Sequence, residues 1–352
     1  MNIRPQVPSL KEMMMIKVAI LLSRDNEIKS LVVNVKDDFY DSSISFYDLR
    51  GNQWTEIQEK AMDKISTVEL PTSLQKRIVE LIKPLSLEAQ KWKGIHSFLG
   101  NTVSDQDICW KGDGLINWQK TMWTLLIKKK LDVTHRFLLA CHYCSLADIC
   151  TIWNKMTQSN KKSVSAIYEP RLVWNWVEWI HRTVEKIDVW PRGKGNFPLL
   201  YRNVPLGIRT IFSELDLEER QKFLMYFVSN RTLPLDDFRF FISTMDGKHL
   251  EELFRMYPYQ VLQYFLQWPL HKYFLDVADR LWVYISEEDF QDILRYIIFQ
   301  RINGGWDDQN YEGLLREFWH RSPDLHKEFV LRNEGFTRLK TFLAEFDFSR
   351  KN

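Results

Sequence analysis

Two short stretches decide the fold of this chain: residues 215–220, LDLEER, and residues 285–290, ISEEDF. In the first, Asp216 is predicted to cap a helix, because Glu219 stands three residues later and can reach back to the cap backbone. In the second, Ser286 is followed by three acidic residues, which favour the positive N-terminal end of a helix. Both stretches predict helix beginnings.

The spacing of apolar residues extends this prediction along most of the chain. Between residues 173 and 187, apolar positions fall at i, i+3, i+4, i+7, i+11 and i+14, which is one face of a helix. A similar stripe covers residues 250–265, where Pro258 predicts a break into two helices. The alternation of strands and helices that a parallel sheet needs does not occur. We therefore predict an all-α fold of stacked antiparallel helix pairs, in an irregular, solenoid-like array.

The N-terminal segment and one breaker-rich segment set the expected domain organisation. Residues 18–22 and 28–35 fit either short helices or a hairpin within the first 40 residues, and helices are favoured because a lone hairpin is marginally stable. Residues 191–207 concentrate Pro and Gly and predict a linker. The predicted parts are an N-terminal segment, 1–70, a basic helical subdomain, 71–190, the linker, 191–207, and an acidic helical subdomain, 208–352.

Bulk composition narrows the class of protein. The chain is 45% hydrophobic and carries 48 basic against 46 acidic residues, so bulk charge does not indicate a nucleic-acid binder. Its longest apolar run, residues 13–22, is shorter than the roughly 20 residues that cross a bilayer. Four cysteines are too few for a disulfide framework. We expect a cytoplasmic protein with reduced cysteines and no membrane partner.

The charge is nevertheless unevenly distributed. Residues 109–173 carry ten basic and four acidic side chains, whereas the chain from residue 212 onward carries 18 basic and 24 acidic ones. Five lysines of the basic region are candidate binding residues: Lys128, Lys129, Lys130, Lys161 and Lys162.

Tryptophans interleave with these lysines, at positions 110, 118, 123 and 153. Cations with interspersed aromatic rings can bind nucleic acid by phosphate attraction and base stacking. The helical spacing favours another interpretation, in which Trp118 and Trp123 belong to a core and residues 128–130 end a helix, where cations are stabilising.

Residues 141–150 form a potential metal or redox cluster of Cys141, His142, Cys144 and Cys150. A structural zinc site needs four converging ligands, usually from two separated pairs, and a redox Cys-x-x-Cys needs its first thiol at a helix N-terminus. Neither condition is visible here. The favoured interpretation is a set of buried, reduced cysteines, and no metal or cofactor is predicted.

Two glycine-rich stretches and three acidic pairs are further candidates. Residues 111–114 (KGDG) and 192–195 (RGKG) lack the spacing of a phosphate-binding loop and are interpreted as turns. The pairs at 218–219, 251–252 and 287–288 are interpreted as residues of first helical turns rather than as acid/base couples.

One unit resembles the two-helix body of an ankyrin repeat: FLLACHYC at 137–144, SLAD at 145–148 and ICTIW at 149–153. Small Ala140 suits close helix approach, while Cys144 stands where the ankyrin pattern ends a helix with Gly. The stretches 91–156 and 316–323 are also similar to a large family of helical proteins of arthropods, especially spiders. These resemblances imply a helical fold and bring no activity or catalytic residue.

The favoured function is therefore a non-enzymatic protein–protein interaction or scaffold role, in which a helical surface binds an unidentified protein. Two alternatives remain open. The basic region 109–173 would support nucleic-acid binding, and a catalytic site without a recognisable motif would make the chain an enzyme.

Overall fold

The computed structural model describes residues 8–34, 51–128, 131–166, 171–183 and 206–332. These residues form helices and no strand, apart from one isolated bridge between Trp110 and Ile116, so the prediction of an all-α fold is confirmed. Within the same ranges no helix is long and apolar enough to cross a membrane.

The first described segment, residues 8–34, contains two helices, α1 (Leu10–Ser23) and α2 (Asn26–Asn34), so the hairpin alternative is wrong for this stretch. Ser9 caps α1, because its hydroxyl accepts a hydrogen bond from the Glu12 amide at 3.2 Å while the Glu12 carboxylate accepts one from the Ser9 amide at 2.7 Å. The carboxylate of Asp25 then accepts from the first amides of α2. Residues 24 and 25, which lie between the two stretches that a hairpin would have paired, instead join the two helices.

The other helices follow in chain order. They are α3 (Gly51–Ser66), α4 (Thr72–Glu80), α5 (Ile82–Ile95), α6 (Trp118–Ile127), α7 (Val133–His142), α8 (Leu146–Lys155), α9 (Gln158–Ser165), α10 (Arg171–Thr183), α11 (Ile208–Glu214), α12 (Leu217–Ser229), α13 (Leu235–Thr244), α14 (Gly247–Met256), α15 (Pro258–Phe265), α16 (Phe274–Leu281), α17 (Glu287–Arg295), α18 (Tyr311–Arg321) and α19 (Asp324–Arg332). Short 3-10 helices lie at Ser97–Thr102, Asp105–Asp107 and His271–Tyr273, and a π-helix lies at Tyr296–Ile302.

The helix beginnings predicted from sequence are confirmed. Asp216 accepts from the Glu219 amide at 2.8 Å, and the Glu219 carboxylate accepts from the Asp216 amide at 3.1 Å. Ser286 caps α17 in the same reciprocal way, with Asp289 as its partner. Pro258 is the first residue of α15 and separates it from α14, as expected.

The helices fall into two compact units. Unit 1 comprises Met1–Gln90, Gly112–Leu115 and Ile242–Asn352, and unit 2 comprises Lys91–Lys111 and Ile116–Phe241. The predicted linker at 191–207 stays a prediction, because all of it except the last two residues lies outside the described residues.

Each unit has its own packing. In unit 1, α1 packs against α2 and α4, α3 packs against α2 and α4, and α15 packs against α14, α16 and α17. In unit 2, α7 is central and contacts α6, α8, α9 and α10. The core of unit 2 contains the buried side chains of Trp92, Leu99, Ile108, Ile116, Met122, Leu125, Leu131, Leu139, Tyr143 and Leu206.

Candidate functional site

Three of the five candidate binding lysines, Lys128, Lys161 and Lys162, lie in the described residues, and their contacts within the chain differ. Lys128 follows the last residue of α6, and its Nζ lies 2.5 Å from Oδ1 of Asp107, which is buried. Burial opposes the charge of Asp107, but hydrogen bonds from Lys128 and Ser104 outweigh it and lower the pKa of the carboxyl to about 2. Lys129 and Lys130 lie outside the described residues.

The other two lysines lie on α9. The ammonium of Lys161 lies 5.1 Å from the ring centroid of Trp153, and Lys162 is exposed. Lys128 and Lys161 are thus engaged by groups of the same unit, by a carboxylate in one case and by an aromatic ring in the other.

The tryptophans of the basic region separate into two kinds. Trp153 is buried, and Trp110 and Trp118 pack against the unit 2 core. Trp123, by contrast, is 51% exposed, so the prediction that it belongs to a core is wrong. The physical reason is the helical rotation of 100° per residue: Met122 and Leu125 point into the core, which turns position 123 away from it.

Trp123 belongs to an exposed strip of α6 that also carries Gln119, Lys120 and Ile127, which we name the α6 face. Ile127 is 82% exposed and lies one turn after Trp123, so two large apolar side chains adjoin on the surface. The opposite side of the helix is fixed, because Thr121 is buried and its hydroxyl accepts from the Cys109 amide at 3.0 Å. The α6 face is therefore an apolar strip on an anchored helix.

The sequence segment that includes α6 is strongly basic. The stretch from α6 to the end of α9, residues 118–165, contains eight basic residues and two acidic ones. Both acids serve local structure: Asp132 accepts from the His135 amide at the start of α7, and Asp148 accepts from the Ser145 hydroxyl at the start of α8.

The cysteine cluster lies in the interior of unit 2. Cys141 and Cys144 are buried, and burial raises the pKa of Cys144 to about 12 and that of Cys141 well above its ordinary value. Burial also lowers the pKa of His142 to about 4, and the imidazole stacks on Phe98 at 4.2 Å. Cys150 is half-buried. Among the described residues no group of three or more His, Cys, Asp or Glu side chains is arranged to hold a metal.

The KGDG stretch is a turn whose tip is packed within unit 1. Gly114 has φ +83°, and a Cβ there would lie 2.9 Å from a Leu85 methyl carbon and 3.0 Å from Nε1 of Trp268. The same indole N–H donates to the Asp113 carbonyl at 3.1 Å. Glycine is required here by conformation and close packing. The RGKG stretch at 192–195 lies outside the described residues.

The acidic pairs are located by the helix bounds. The pairs at 218–219 and 287–288 lie in the first turns of α12 and α17, as expected. The pair at 251–252 lies in the middle of α14, so the first-turn interpretation is wrong for it. There Glu251 accepts a hydrogen bond from the Tyr284 hydroxyl instead.

Sequence reasoning missed an ionic cluster in unit 2. Arg209 of α11 donates to Asp236 and Asp237 of α13 at 2.5 Å each, and Lys111 contacts Asp236 at 2.5 Å. Burial raises the pKa of Asp237 to about 6 despite the nearby guanidinium. The cluster joins residues up to 125 positions apart, so no local sequence motif predicts it.

A second missed cluster lies in the interior of unit 1 around Asp308. The Asp308 carbonyl accepts from Arg77 at 2.8 Å and from Nε2 of His271 at 3.1 Å, and its carboxylate accepts from the Tyr311 hydroxyl at 3.4 Å. Asp308, His271 and Arg301 are all buried. The guanidinium of Arg301 lies 4.1 Å from the centroid of the Trp306 ring. These bonds hold the segment that follows the π-helix against the rest of unit 1.

Comparison with known proteins adds no relative: no family model, no curated protein and no solved structure matches this chain. The arthropod and ankyrin resemblances therefore stay predictions. Cys144, which follows α7, has φ +52°, the left-handed conformation that favours glycine at a helix end.

Proposed function

We propose that this chain is a non-enzymatic interaction protein, and that it binds another protein through the α6 face. The observation that carries this proposal is the exposure of Trp123 and Ile127, one turn apart, on a helix whose other side is buried. Tryptophan is enriched among the residues that contribute most to protein–protein binding. A large ring on an anchored helix also loses little conformational freedom on binding.

A protein partner fits this surface better than nucleic acid does. Binding of a nucleic-acid strand relies on several free cations and on aromatic rings that stack with successive bases. Lys128 is bonded to Asp107, and Trp110 and Trp118 pack against the core. The residue beside Trp123 is an aliphatic isoleucine, which suits the apolar centre of a protein interface.

The enzyme alternative finds less support in the described residues. The polar side chains around Asp308 are buried, and Asp308 accepts hydrogen bonds from Arg77, His271 and Tyr311. The histidines at 96, 142 and 271 are buried as well, and burial lowers the pKa of each. A cytoplasmic location remains part of the proposal, on the basis of the reduced cysteines.

Site-specific photo-crosslinking in cells tests the proposal. A photoreactive amino acid replaces Gln119, which lies on the α6 face one turn before Trp123, and a matched variant carries it in place of Val283, an exposed residue of unit 1. We expect a crosslinked protein from position 119 and not from position 283. The adduct should disappear when Trp123→Ala is added.

Two outcomes would contradict the proposal. Crosslinks to the same proteins from positions 119 and 283 would show that contact is not specific to the α6 face. Crosslinks from position 119 that persist in the Trp123→Ala variant would show that the exposed ring does not contribute to the contact.

A further inference from the structure

We infer that the interior of unit 1 binds an ordered water molecule between the side chains of Asp308, His271 and Arg301. This site lies in a different unit from the α6 face and does not depend on the proposed function. The inference rests on the polar atoms that these buried side chains leave unpartnered, and on the kind of ligand that such atoms can bind together.

The three side chains are buried close to one another. Their exposed fractions are 0% for Asp308, 5% for His271 and 2% for Arg301, and Nε2 of His271 lies 3.9 Å from Oδ2 of Asp308. Burial lowers the pKa of His271; the Asp308 carboxylate opposes this shift, and the Arg301 guanidinium adds to it. The imidazole is therefore neutral and is near both charged groups.

Each of these side chains leaves a polar atom without a partner. Oδ1 of Asp308, Nδ1 of His271 and Nε of Arg301 form no hydrogen bond with any of the described residues. Buried polar atoms are almost always bonded to protein or to ordered water, because an unpaired one retains its cost of desolvation. The Tyr311 hydroxyl cannot satisfy the carboxylate alone: it has a single proton and lies 3.3 Å from the Leu266 carbonyl and 3.4 Å from Oδ2 of Asp308.

The hydrogen bonds already present decide the chemistry of each unpartnered atom. Nε2 of His271 lies 3.1 Å from the carbonyl oxygen of Asp308, which only accepts, so Nε2 carries the proton of the neutral ring. Nδ1 is consequently an acceptor. Oδ1 of the carboxylate is an acceptor as well, whereas Nε of Arg301 is a donor. A ligand of this site must donate and accept at once.

Water fits this requirement, because one molecule can donate two hydrogen bonds and accept others at the same time. An anion would be repelled by the acceptors of Asp308 and His271, and a cation by the guanidinium of Arg301. The water links three elements of unit 1: the π-helix that carries Arg301, the 3-10 helix that begins at His271 and the segment before α18 that carries Asp308.

A second buried histidine of unit 1 provides a contrast. Nε2 of His326 bonds to the Ile285 carbonyl at 2.9 Å, and its Nδ1 has no partner among the described residues, as in His271. The ring of His326, however, lies beside the aromatic rings of Phe290 and Trp282, with centroids 5.4 and 6.1 Å away. A buried water needs several polar partners, so no water is expected beside His326.

A high-resolution crystal structure of the full-length chain tests the inference. We expect a water peak within about 3.2 Å of at least two of the three unpartnered atoms of Asp308, His271 and Arg301. A site without a peak, or a peak beside only one of these atoms, would overturn the inference. Bromide located there by anomalous diffraction after a soak would overturn it in favour of an anion.

Magnetic relaxation dispersion of the water signal provides a second test, because it counts the long-lived internal waters in solution. His271→Phe removes the Nδ1 acceptor and should lower this count by about one. The matched variant His326→Phe should leave the count unchanged. Equal counts in the wild type and His271→Phe, or equal losses in the two variants, would contradict the inference. The crystallographic test uses the unmodified chain and therefore stands even where His271→Phe does not fold.

Discussion

Gly207, the residue before α11, allows the sharpest test of the packing within unit 2. A Cβ at this position would lie 2.4 Å from Sγ of Cys144, 2.7 Å from its Cβ and 2.9 Å from the carbonyl carbon of Tyr143. Contacts this short force a displacement of one of the two segments. Gly207→Ala should therefore destabilise unit 2 by about 1–3 kcal/mol, the usual cost of overpacking.

A second substitution tests whether this clash is the cause. Cys144→Gly removes two of the three closest atoms and relieves a non-glycine residue at φ +52°. The relief of about 1 kcal/mol is offset by the loss of a buried side chain and by greater freedom of the unfolded chain. The single Cys144→Gly variant should thus stay within about 1 kcal/mol of the wild type. The double variant should be more stable, by about 1 kcal/mol or more, than the sum of the two single-variant changes in opening free energy predicts.

Native-state hydrogen exchange is the appropriate assay, because a chain with two compact units has no single unfolding free energy. Peptides from α7 and α11 report the opening free energy of unit 2. Gly247→Ala is the control, since a Cβ there meets nothing within 4 Å. Protection unchanged to within about 0.5 kcal/mol in Gly207→Ala, or strictly additive effects in the double variant, would refute the reasoning.

Three further predictions follow from the burial or exposure of single side chains. Arg301→Ala should destabilise unit 1 by about 2–5 kcal/mol, because it leaves a cavity beside the rings of Trp306 and Tyr311; hydrogen exchange in α18 measures this, and a loss below about 1 kcal/mol would contradict the assignment. The folded-state pKa of Asp237 is raised from 3.8 to about 6, so its contribution to stability is complete below pH 3.8 and is lost as the pH rises through 6; carboxyl NMR checks this, and a midpoint near 4 would refute it. Trp123→Ala should change the stability of unit 2 by less than about 0.5 kcal/mol, whereas Trp92→Ala, at a buried ring of the same unit, should cost about 3–5 kcal/mol; hydrogen exchange in α7 compares them, and equal losses would contradict the exposure of Trp123.

Sequence reasoning located helix starts well because their determinants are local. Asp216 and Ser286 each form reciprocal bonds with a residue three positions away, so the whole device lies within four residues. Sequence reasoning was less successful in predicting which side of a helix is buried. Trp123 fits an apolar helical pattern, yet the pattern of α6 is wide enough to place apolar residues on both sides, and only packing against α7 decides which side is buried.

The candidate site was predicted only in part. The basic stretch and its tryptophans are visible in the sequence, but the pairing of Lys128 with Asp107 spans 21 residues and the contact of Lys161 with Trp153 depends on the angle between two helices. These contacts change which side chains are available for binding. The sequence pointed to the lysines, and the structure moves the candidate site to Trp123 and Ile127.

The amino-acid sequence by itself determined that the chain is helical, where the helices after Asp216 and Ser286 and at Pro258 begin, and that charge is concentrated in one region, because capping, periodicity and composition act over a few residues. The tertiary structure alone decided which apolar residues remain exposed and which charges are buried together. Arg77 and the Asp308 carbonyl meet across 231 positions, and Lys111 and Asp236 across 125. Such contacts depend on the packing of whole helices, which no short stretch of sequence specifies.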